Sequence, residues 1–486
     1  MKRLAPIGSA GIFAVLGGCI AVGPDYERPE VETDAEWAAG SDSAFNSADP
    51  ASIETWWQAL DDAVLDDLVE RAFASNLDLA TAVQRVRQTA AIRGISAGER
   101  FPDLDGTGSF NRERQGENAF PGRAAPTEFD SFAMGLEFGW ELDVWGRVRR
   151  LVEAADADLA STVEDLHDVR LLLAAEVASE YVELRTAQQR LRVAERNIEI
   201  QRQSLTLTTT RFENGAAPQL DVAQAETNLA NTEAELPSLR ADVRDRTLRL
   251  AVLLGENPTA LLDELSEPVG IPEPPSAISV GIPADVLRRR PDIRSAEREL
   301  AGEVARIGVE LGDLYPRFSL GGSLQFNSRN VGSLYDADSL GFGIGPSFSW
   351  NLFDGGRERN EVRAQKAAAD IAVLAYRSAV LAALEDVESA MFRHARQIER
   401  TDAFRRASDA ANLSAELSRQ LYLEGRSDFQ NVLDSERELF AAEDSLIVSR
   451  SEVTTTYITL QRSLGGGWTP PIAEERQAED ANATGD

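Results

Sequence analysis

The sequence predicts a mainly α-helical protein with membrane β-structure, in which a tandem repeat supplies four transmembrane strands and long coiled-coil helices. Three observations predict this fold class: strands with one apolar face, very long helical stretches that follow them directly, and the recurrence of the whole pattern in the second half of the 486-residue chain. Four amphipathic strands are too few to close a barrel in lipid, so the sequence also predicts that several chains share one barrel.

The clearest strand covers residues 131–142. Large apolar side chains occupy every second position from Phe132 to Leu142, and small, polar or acidic residues occupy the positions between them. Strand side chains alternate between two faces, so one face suits lipid and the other suits water. Carboxylates on the second face would line a lumen, because charges that face lipid are costly. The predicted lumen residues are Asp103, Asp105, Glu137 and Glu141.

Three tryptophans lie toward the ends of the predicted strands. Trp140, Trp145 and Trp350 occupy positions where aromatic rings suit the membrane interface. Each could equally pack against a helix.

A helical pattern of unusual length follows the first hairpin. Leucine, isoleucine and phenylalanine recur every seven residues, at Leu184, Leu191, Ile198, Leu205 and Phe212, which indicates a coiled-coil seam. A helix from residue 147 to about 212 would be roughly 100 Å long at 1.5 Å per residue. A turn at residues 213–218 then leads into a returning helix that ends near residue 257.

The second half of the chain repeats the first. Trp140 matches Trp350 and Gly215 matches Gly425, both 210 positions later, whereas the offset before the strands is 214. The predicted organisation is a signal peptide (1–18), an arm with a first helix (19–75), repeat 1 (76–257), a proline-rich connector (258–283), repeat 2 (284–467) and an acidic tail (468–486). The predicted hairpins are 103–142 and 317–352, and the second long helix runs to about residue 423.

The first residues predict export. Lys2 and Arg3 precede a short apolar run, which ends in a segment that resembles the bacterial lipobox, Leu16-Gly17-Gly18-Cys19. We expect lipid attachment at Cys19; the alternative is a plain signal peptide with an incidental cysteine. No segment after Cys19 has the uninterrupted apolar length of a transmembrane helix, so we expect any further membrane contact to come through strands.

Composition excludes several function classes. The formal charge of −32 argues against nucleic acids or anionic headgroups as principal partners. His167 and His394 lie apart and join no cluster with metal-ligand spacing, and no set of nucleophile, base and orienting group is present. We therefore expect no enzyme, no metal and no cofactor apart from a covalent lipid on Cys19.

Several motifs resemble the TolC and OprM outer-membrane efflux proteins, in particular the NodT-like lipoprotein branch. They are Gly23-Pro24-Asp25-Tyr26, Trp56-Trp57, Leu287-Arg288-Arg289-Arg290-Pro291-Asp292-Ile293, Tyr315-Pro316-Arg317, Asn351-Leu352-Phe353-Asp354-Gly355-Gly356 and Leu464-Gly465-Gly466-Gly467-Trp468. The resemblance implies a homotrimer in the outer membrane, in which a twelve-stranded barrel continues into a periplasmic barrel of helices. It also implies a periplasmic adaptor and an inner-membrane pump of the RND type as partners.

The resemblance assigns roles to the two helix-to-helix turns as well. It implies partner contacts at these periplasmic tips, through Arg211, Phe212, Asn214, Gly215, Tyr422, Gly425 and Arg426. For the two glycines a turn required by geometry is the alternative. A gate of the D-x-x-D type would correspond to Asn431 and Asp434; here an amide replaces the first carboxylate, and Asp434 could instead be a solvated helix residue.

The predicted function is a passive exit duct that conducts small molecules, drugs or metabolites. The alternative with the same architecture is an outer-membrane channel for type I protein secretion with an ATP-driven transporter. A periplasmic coiled-coil scaffold without a barrel would explain the helices but not the four strands.

Overall fold

A computed structural model describes residues 21–31, 34–46, 53–115 and 127–468. Cys19, the predicted signal peptide and most of the acidic tail lie outside these residues. The described chain forms two compact units. The first, called the strand unit, contains residues 21–30, 86–115, 127–162 and 296–376, and the second, called the helical unit, contains the remaining described residues.

The elements follow one another in an order that repeats. They are β1 (Phe45–Asn46), α1 (Ala63–Ser75), α2 (Leu77–Gly98), β2 (Asp103–Gln115), β3 (Thr127–Leu142), α3 (Arg147–Glu213), α4 (Gln219–Leu253), β4 (Ile278–Ser279), α5 (Pro283–Arg289), α6 (Pro291–Asp313), β5 (Arg317–Ser328), β6 (Leu340–Ser349), α7 (Arg357–Leu423) and α8 (Phe429–Ser463). Short 3-10 helices lie at Ala38–Ser41, Ile53–Leu60, Val331–Ser333 and Ala337–Ser339.

The duplication extends to the lengths of the long helices. α3 and α7 each contain 67 residues, and α4 and α8 each contain 35. Their first and last residues differ by 210 positions in both pairs, the offset that the sequence predicts. α4 continues through Pro237, which lies inside it.

The strand unit contains one antiparallel sheet of four strands in the order β2-β3-β5-β6. Directly paired residues share a face, so the register shows which side chains lie together. Glu137 is opposite Asp105 in β2 and Ser323 in β5, and Gly343 of β6 is opposite Ser323. Phe138, Leu136 and their partners form the other face, which is mainly apolar on all four strands and becomes charged beyond Phe110, where Arg112 is opposite Asp130. The two-faced sheet predicted from alternation is therefore present in the fold.

The helical unit has a core of aromatic and aliphatic side chains. Trp56 and Tyr457 are 2% exposed, and the Tyr457 hydroxyl donates to the Trp56 carbonyl oxygen over 3.0 Å. Trp56 and Trp57 belong to the 3-10 helix Ile53–Leu60. α1 begins at Asp62, whose carboxylate accepts from the Val64 and Leu65 amides at 3.0 and 3.2 Å and so caps the helix.

Hydrogen bonds to other elements hold the connector between the repeats in place. β4 pairs in parallel with β1, joining Ile278 to Phe45 and Ser279 to Asn46. Gln188 of α3 donates to the Leu265 carbonyl oxygen at 2.7 Å, in a buried contact.

One helix has an unusually apolar stretch. Among the described residues, α7 is long and apolar enough, by length and composition, to cross a membrane, with a mean hydropathy of 1.6 in its most apolar window. An alanine-rich stretch gives this high mean although Asp370 and Arg377 interrupt it, so α7 contains no uninterrupted apolar run of that length. Several of its large apolar side chains are exposed, among them Ile371, Leu374 and Leu381.

Candidate functional site

The predicted lumen carboxylates lie on the small and polar face of the sheet. Asp105 and Glu137 are directly opposite each other, and Asp103 is opposite Gly139 on the same face. The Glu137 carboxylate accepts from the Gln325 side-chain amide at 3.2 Å. These groups give one face of the sheet an acidic and hydrogen-bonding surface.

Glu141 has a different environment from the other three carboxylates. It accepts two bonds from Arg147 at the start of α3, both of 3.0 Å, and Asp313 lies 3.9 Å from the same guanidinium. Burial lowers the pKa of the Arg147 guanidinium and Glu141 raises it, with a net rise. Glu141 is therefore paired at the strand-to-helix junction, and its charge is largely compensated.

The three tryptophans donate their indole N–H groups to backbone carbonyls in the two segments that connect a helix to the next strand. Trp140 donates to Arg100 at 3.0 Å and Trp350 to Leu314 at 3.2 Å, so the two repeats make the same contact. Trp145 donates to Pro316 at 2.9 Å and stacks on Tyr315. Each indole thus fixes the residues between a helix and the strand that follows it, while Trp350 remains 53% exposed.

The two helix-to-helix turns are built alike. Gly215 and Gly425 have φ values of 74° and 71°, the left-handed conformation that ends a helix. A side chain would meet no atom at either position. Phe212 is 43% exposed, and Asn214 and Arg426 are exposed.

Arg211 and Tyr422 link the two turns to each other. Arg211 donates to the Tyr422 carbonyl oxygen at 2.7 Å, and its guanidinium lies 4.6 Å from the centre of the Tyr422 ring. Tyr422 is only 4% exposed and packs with Phe429, Val432 and Leu433. Its buried ring therefore stabilises the turn, and the partner contact that the resemblance implies for Tyr422 stays a prediction.

The pKa of a carboxylate next to this link is also shifted. Burial and then the charge of Asp428 raise the pKa of Asp221, and the neighbouring Arg211 opposes that rise. Asp221 lies in the first turn of α4.

The two predicted gate residues are exposed and hydrogen-bond to different partners. The Asn431 side chain donates to the Ser427 hydroxyl at 2.9 Å, and Asp434 accepts from Gln430 at 2.8 Å. The first bond reaches back to the residue before the N-cap of α8 and the second lies within the first turns of α8.

His167 and His394 have separate structural surroundings. His167 stacks on Trp468 with ring centroids 4.4 Å apart. His394 is 1% exposed, and its Nδ1 lies 2.9 Å from the Thr456 hydroxyl. In the part of the chain that the structure describes, no three acidic, histidine or cysteine side chains form a group able to hold a metal ion.

Sequence reasoning missed how the arm after Cys19 is bound. Arg150 of α3, with a side chain 5% exposed, donates to the Val22 carbonyl oxygen at 3.1 Å and to the Asp25 carboxylate at 2.7 Å. Tyr26 and Arg28 both contact the Glu297 carboxylate, at 3.3 and 3.1 Å. The Gly23-Pro24-Asp25-Tyr26 motif was the only signal, because the matching arginine lies more than a hundred positions away.

Comparisons with known proteins agree with this geometry. The family model described as "Outer membrane efflux protein" matches residues 68–256 and 282–466, one match for each repeat. Nodulation protein T of Rhizobium leguminosarum bv. trifolii is 32% identical over 463 residues, which cover 94% of this chain and 96% of that protein. The solvent efflux pump outer membrane protein SrpC of Pseudomonas putida is 30% identical over 471 residues, covering 95% and 98%.

Solved structures show the same fold. The outer-membrane channel OprN superposes with a TM-score of 0.86 at 36% identity, covering 92% of this chain and all of that chain. The Campylobacter jejuni CmeC outer membrane channel has a TM-score of 0.86 at 21% identity, covering 95% and 98%. With two matches to the family model, relatives aligned along nearly the full length and the same channel fold, the chain belongs to the outer membrane efflux protein family.

Proposed function

We propose that this protein is the passive outer-membrane duct of a tripartite efflux system, formed by three copies whose sheets close one twelve-stranded barrel. The observation that carries the proposal is the four-stranded sheet with one apolar and one polar face. Among the described residues, its outer strands β2 and β6 each pair on one side only. Unpaired strand edges in lipid cost several kcal/mol for each amide, which closure with further copies would remove.

Small molecules are the proposed cargo. SrpC is named as part of a solvent efflux pump, and OpmQ of Pseudomonas aeruginosa, 28% identical, is named a pyoverdine export protein. These names favour efflux over the secretion of proteins. A periplasmic adaptor and an inner-membrane pump of the RND type would supply substrate and energy, because the duct itself needs no chemical step.

The two tips are the proposed contacts for the adaptor. Phe212, Asn214 and Arg426 offer exposed side chains around two tight turns, and the Arg211–Tyr422 link holds the turns together. Asn431 and Asp434 would form the gate, with a ring of three Asp434 carboxylates in the assembled duct. Cys19 would carry the lipid that anchors the mature arm in the outer membrane.

The experiment that tests the duct is reconstitution of the detergent-purified protein into planar bilayers. We expect oligomers that dissociate to monomers on heating, and discrete single-channel conductance. A soluble monomer without conductance would overturn the proposal.

The gate is tested in the same system with Asp434→Asn. We expect this variant to change cation selectivity or conductance, since three carboxylates are removed from one ring. Glu424→Gln is the matched control, because it removes a tip carboxylate that is paired with Arg426. Equal effects of both variants would argue against the gate.

A further inference from the structure

The apolar face of the sheet ends at a defined height, and charged side chains continue the same face. In β2 and β3 the last apolar pair is Phe110 opposite Phe132, with ring centroids 4.8 Å apart. The next two pairs on this face are charged and are here called the outer rim: Arg112 opposite Asp130, and Arg114 opposite Glu128.

The apolar stretch below the outer rim has the height of a membrane. β3 ends at Leu142, beside the junction to α3. From Leu142 to Phe132 it rises roughly 34 Å at about 3.4 Å per residue, which a strand tilt of about 45° reduces to roughly 24 Å. The apolar band of a membrane barrel is about 25 Å tall. The outer rim therefore begins at the level of the lipid headgroups in the leaflet farther from the long helices, here called the outer leaflet.

A tyrosine marks the same level independently of strand tilt. Tyr335, in the loop between β5 and β6, packs on Phe326 with ring centroids 5.6 Å apart, and its hydroxyl donates to the Met134 sulfur at 3.1 Å. Met134 and Phe326 are paired in the register and belong to the apolar face. Tyr335 itself is 67% exposed, as suits a ring at the boundary between acyl chains and headgroups.

The two arginines of the outer rim have no strong partner within it. The Arg112 Nε atom lies 3.7 Å from the Asp130 carboxylate, and both arginines lie 3.9 Å from the Glu128 carboxylate. These distances are longer than a hydrogen bond, and exposed ion pairs of this kind contribute little stability. The Arg112 and Arg114 side chains are 69% and 67% exposed. Their guanidinium groups can therefore bind another anion at little cost.

We propose that Arg112 and Arg114 bind the phosphate group of a lipid headgroup in the outer leaflet. A guanidinium donates two parallel bonds to a phosphate, and the acyl chains of the same lipid would lie along Phe110 and Phe132. The four charges of the outer rim cancel, so directed N–H donors supply the attraction, which is compatible with the formal charge of −32. This inference rests on the proposed function, because it takes the apolar face to meet lipid.

Native mass spectrometry of the full-length protein in detergent tests the proposal. The probe is lipid A, which carries phosphate groups, and the reference is lipid A from which the phosphates have been removed. We expect the fraction of oligomers that carry lipid to be roughly tenfold higher for the probe. Equal binding of the two lipids would overturn the proposal. Displacement of the probe by inorganic phosphate would also overturn it, because the site would then bind free phosphate.

The double variant Arg112→Gln with Arg114→Gln should lose roughly five- to tenfold of the lipid A binding and leave the reference unchanged. Arg329→Gln is the matched control. The Arg329 guanidinium lies at the same end of the sheet, 5.1 Å from the centre of the Phe129 ring, and Phe129 is opposite Glu113 on the polar face. Equal losses in the two proteins would overturn the assignment to the outer rim.

Neutralising the two carboxylates gives a second and independent decision. Glu128→Gln with Asp130→Asn should raise lipid A binding, because the carboxylates compete with the phosphate for the same guanidinium groups. A loss of binding in this variant would overturn the assignment of the phosphate to the arginines.

Bilayer conductance and heat-dissociable oligomers, measured on the same samples, separate this proposal from the proposed function. If the natural protein conducts but does not prefer lipid A over the reference, the duct stands and the outer rim binds no lipid phosphate. If the protein neither assembles nor conducts, the apolar face does not meet lipid and both proposals fail.

Discussion

Arginine side chains link the arm, the strand-to-helix junction and the two turns of this protein to their surroundings. Arg150 binds the arm, Arg147 pairs with Glu141 at the strand-to-helix junction, and Arg211 joins the two turns. A guanidinium suits these positions because it can donate several bonds in fixed directions and also lie over an aromatic ring. The link at the turns is the simplest of these to test.

Replacing Arg211 with alanine should loosen the turns. The variant loses the bond to the Tyr422 carbonyl oxygen and the cation–π contact, together worth about 1–2 kcal/mol of local stability. Amide hydrogen exchange in residues 419–432 should accelerate accordingly. Tyr422→Phe is the control: it keeps the ring and removes a buried hydroxyl that has no partner among the described residues, so exchange should stay the same or slow down. Equal acceleration in both variants would contradict this account.

His394 gives a pH dependence whose sign follows from burial. Burial lowers its pKa to about 4, so the folded protein resists a proton that the unfolded chain accepts near pH 6.5. Its contribution to stability is unchanged above pH 6.5, falls as the pH drops from 6.5 to 4, and then levels off. The loss is at most about 3 kcal/mol.

The measurement is the difference in unfolding free energy between the natural protein and His394→Gln across this range. A difference is needed because Asp168 titrates in the same window with the opposite sign, its pKa being raised to about 6 by burial and by Asp292. His394→Gln should remove the His394 slope and leave that of Asp168. Parallel curves for the two proteins would show that His394 titrates normally.

At the scale of elements, the stability of a helix end depends on what surrounds the glycine that follows the helix. α4 ends at Gly255, with φ of 70°, directly against the junction between α1 and α2. There Asn76 donates to the Leu253 carbonyl oxygen at 2.8 Å, and Ser75 donates to that of Leu254 at 2.6 Å. The end of α4 is thus both capped and tightly packed.

Alanine substitution at two glycines should separate the cost of the left-handed backbone conformation from the cost of tight packing. A Cβ at Gly255 would clash with the Ser75 carbonyl oxygen, so Gly255→Ala carries both backbone strain and a clash, with an expected loss of about 3 kcal/mol or more. Gly215→Ala has the same backbone conformation in open space and should cost only about 1 kcal/mol. Thermal unfolding of the two variants measures the difference, and similar losses would refute the role assigned to packing.

The sequence predicted the elements that repeat a pattern over many residues. Alternation predicted β3 and β6, and the seven-residue spacing from Leu184 to Phe212 predicted α3, because each pattern depends only on neighbours along the chain. β1 and β4 could not be predicted: each has two residues, too few for alternation, and they pair across more than two hundred positions. The Arg211–Tyr422 link was missed for the same reason, although both residues had been singled out.

At the scale of the whole molecule, the charge and the sheet together favour cations. The chain carries a formal charge of −32, and Asp105 and Glu137 lie opposite each other on the polar face of the sheet. In a duct of three copies, these two positions contribute six carboxylates to one water-filled barrel. Their field extends about 30 Å at 0.01 M salt but only about 3 Å at 1 M.

Single-channel reversal potentials in a KCl gradient should therefore show cation selectivity that weakens as salt rises. Asp105→Asn combined with Glu137→Gln should reduce the selectivity at low salt and have little effect at 1 M, because only unscreened charge is removed. Ser323→Ala is the matched control, since Ser323 lies opposite Glu137 on the same face and carries no charge. If the neutralised variant kept full selectivity at low salt, the carboxylates of the sheet would not line the conducting path, and the polar face would have to be assigned to another surface of the assembly.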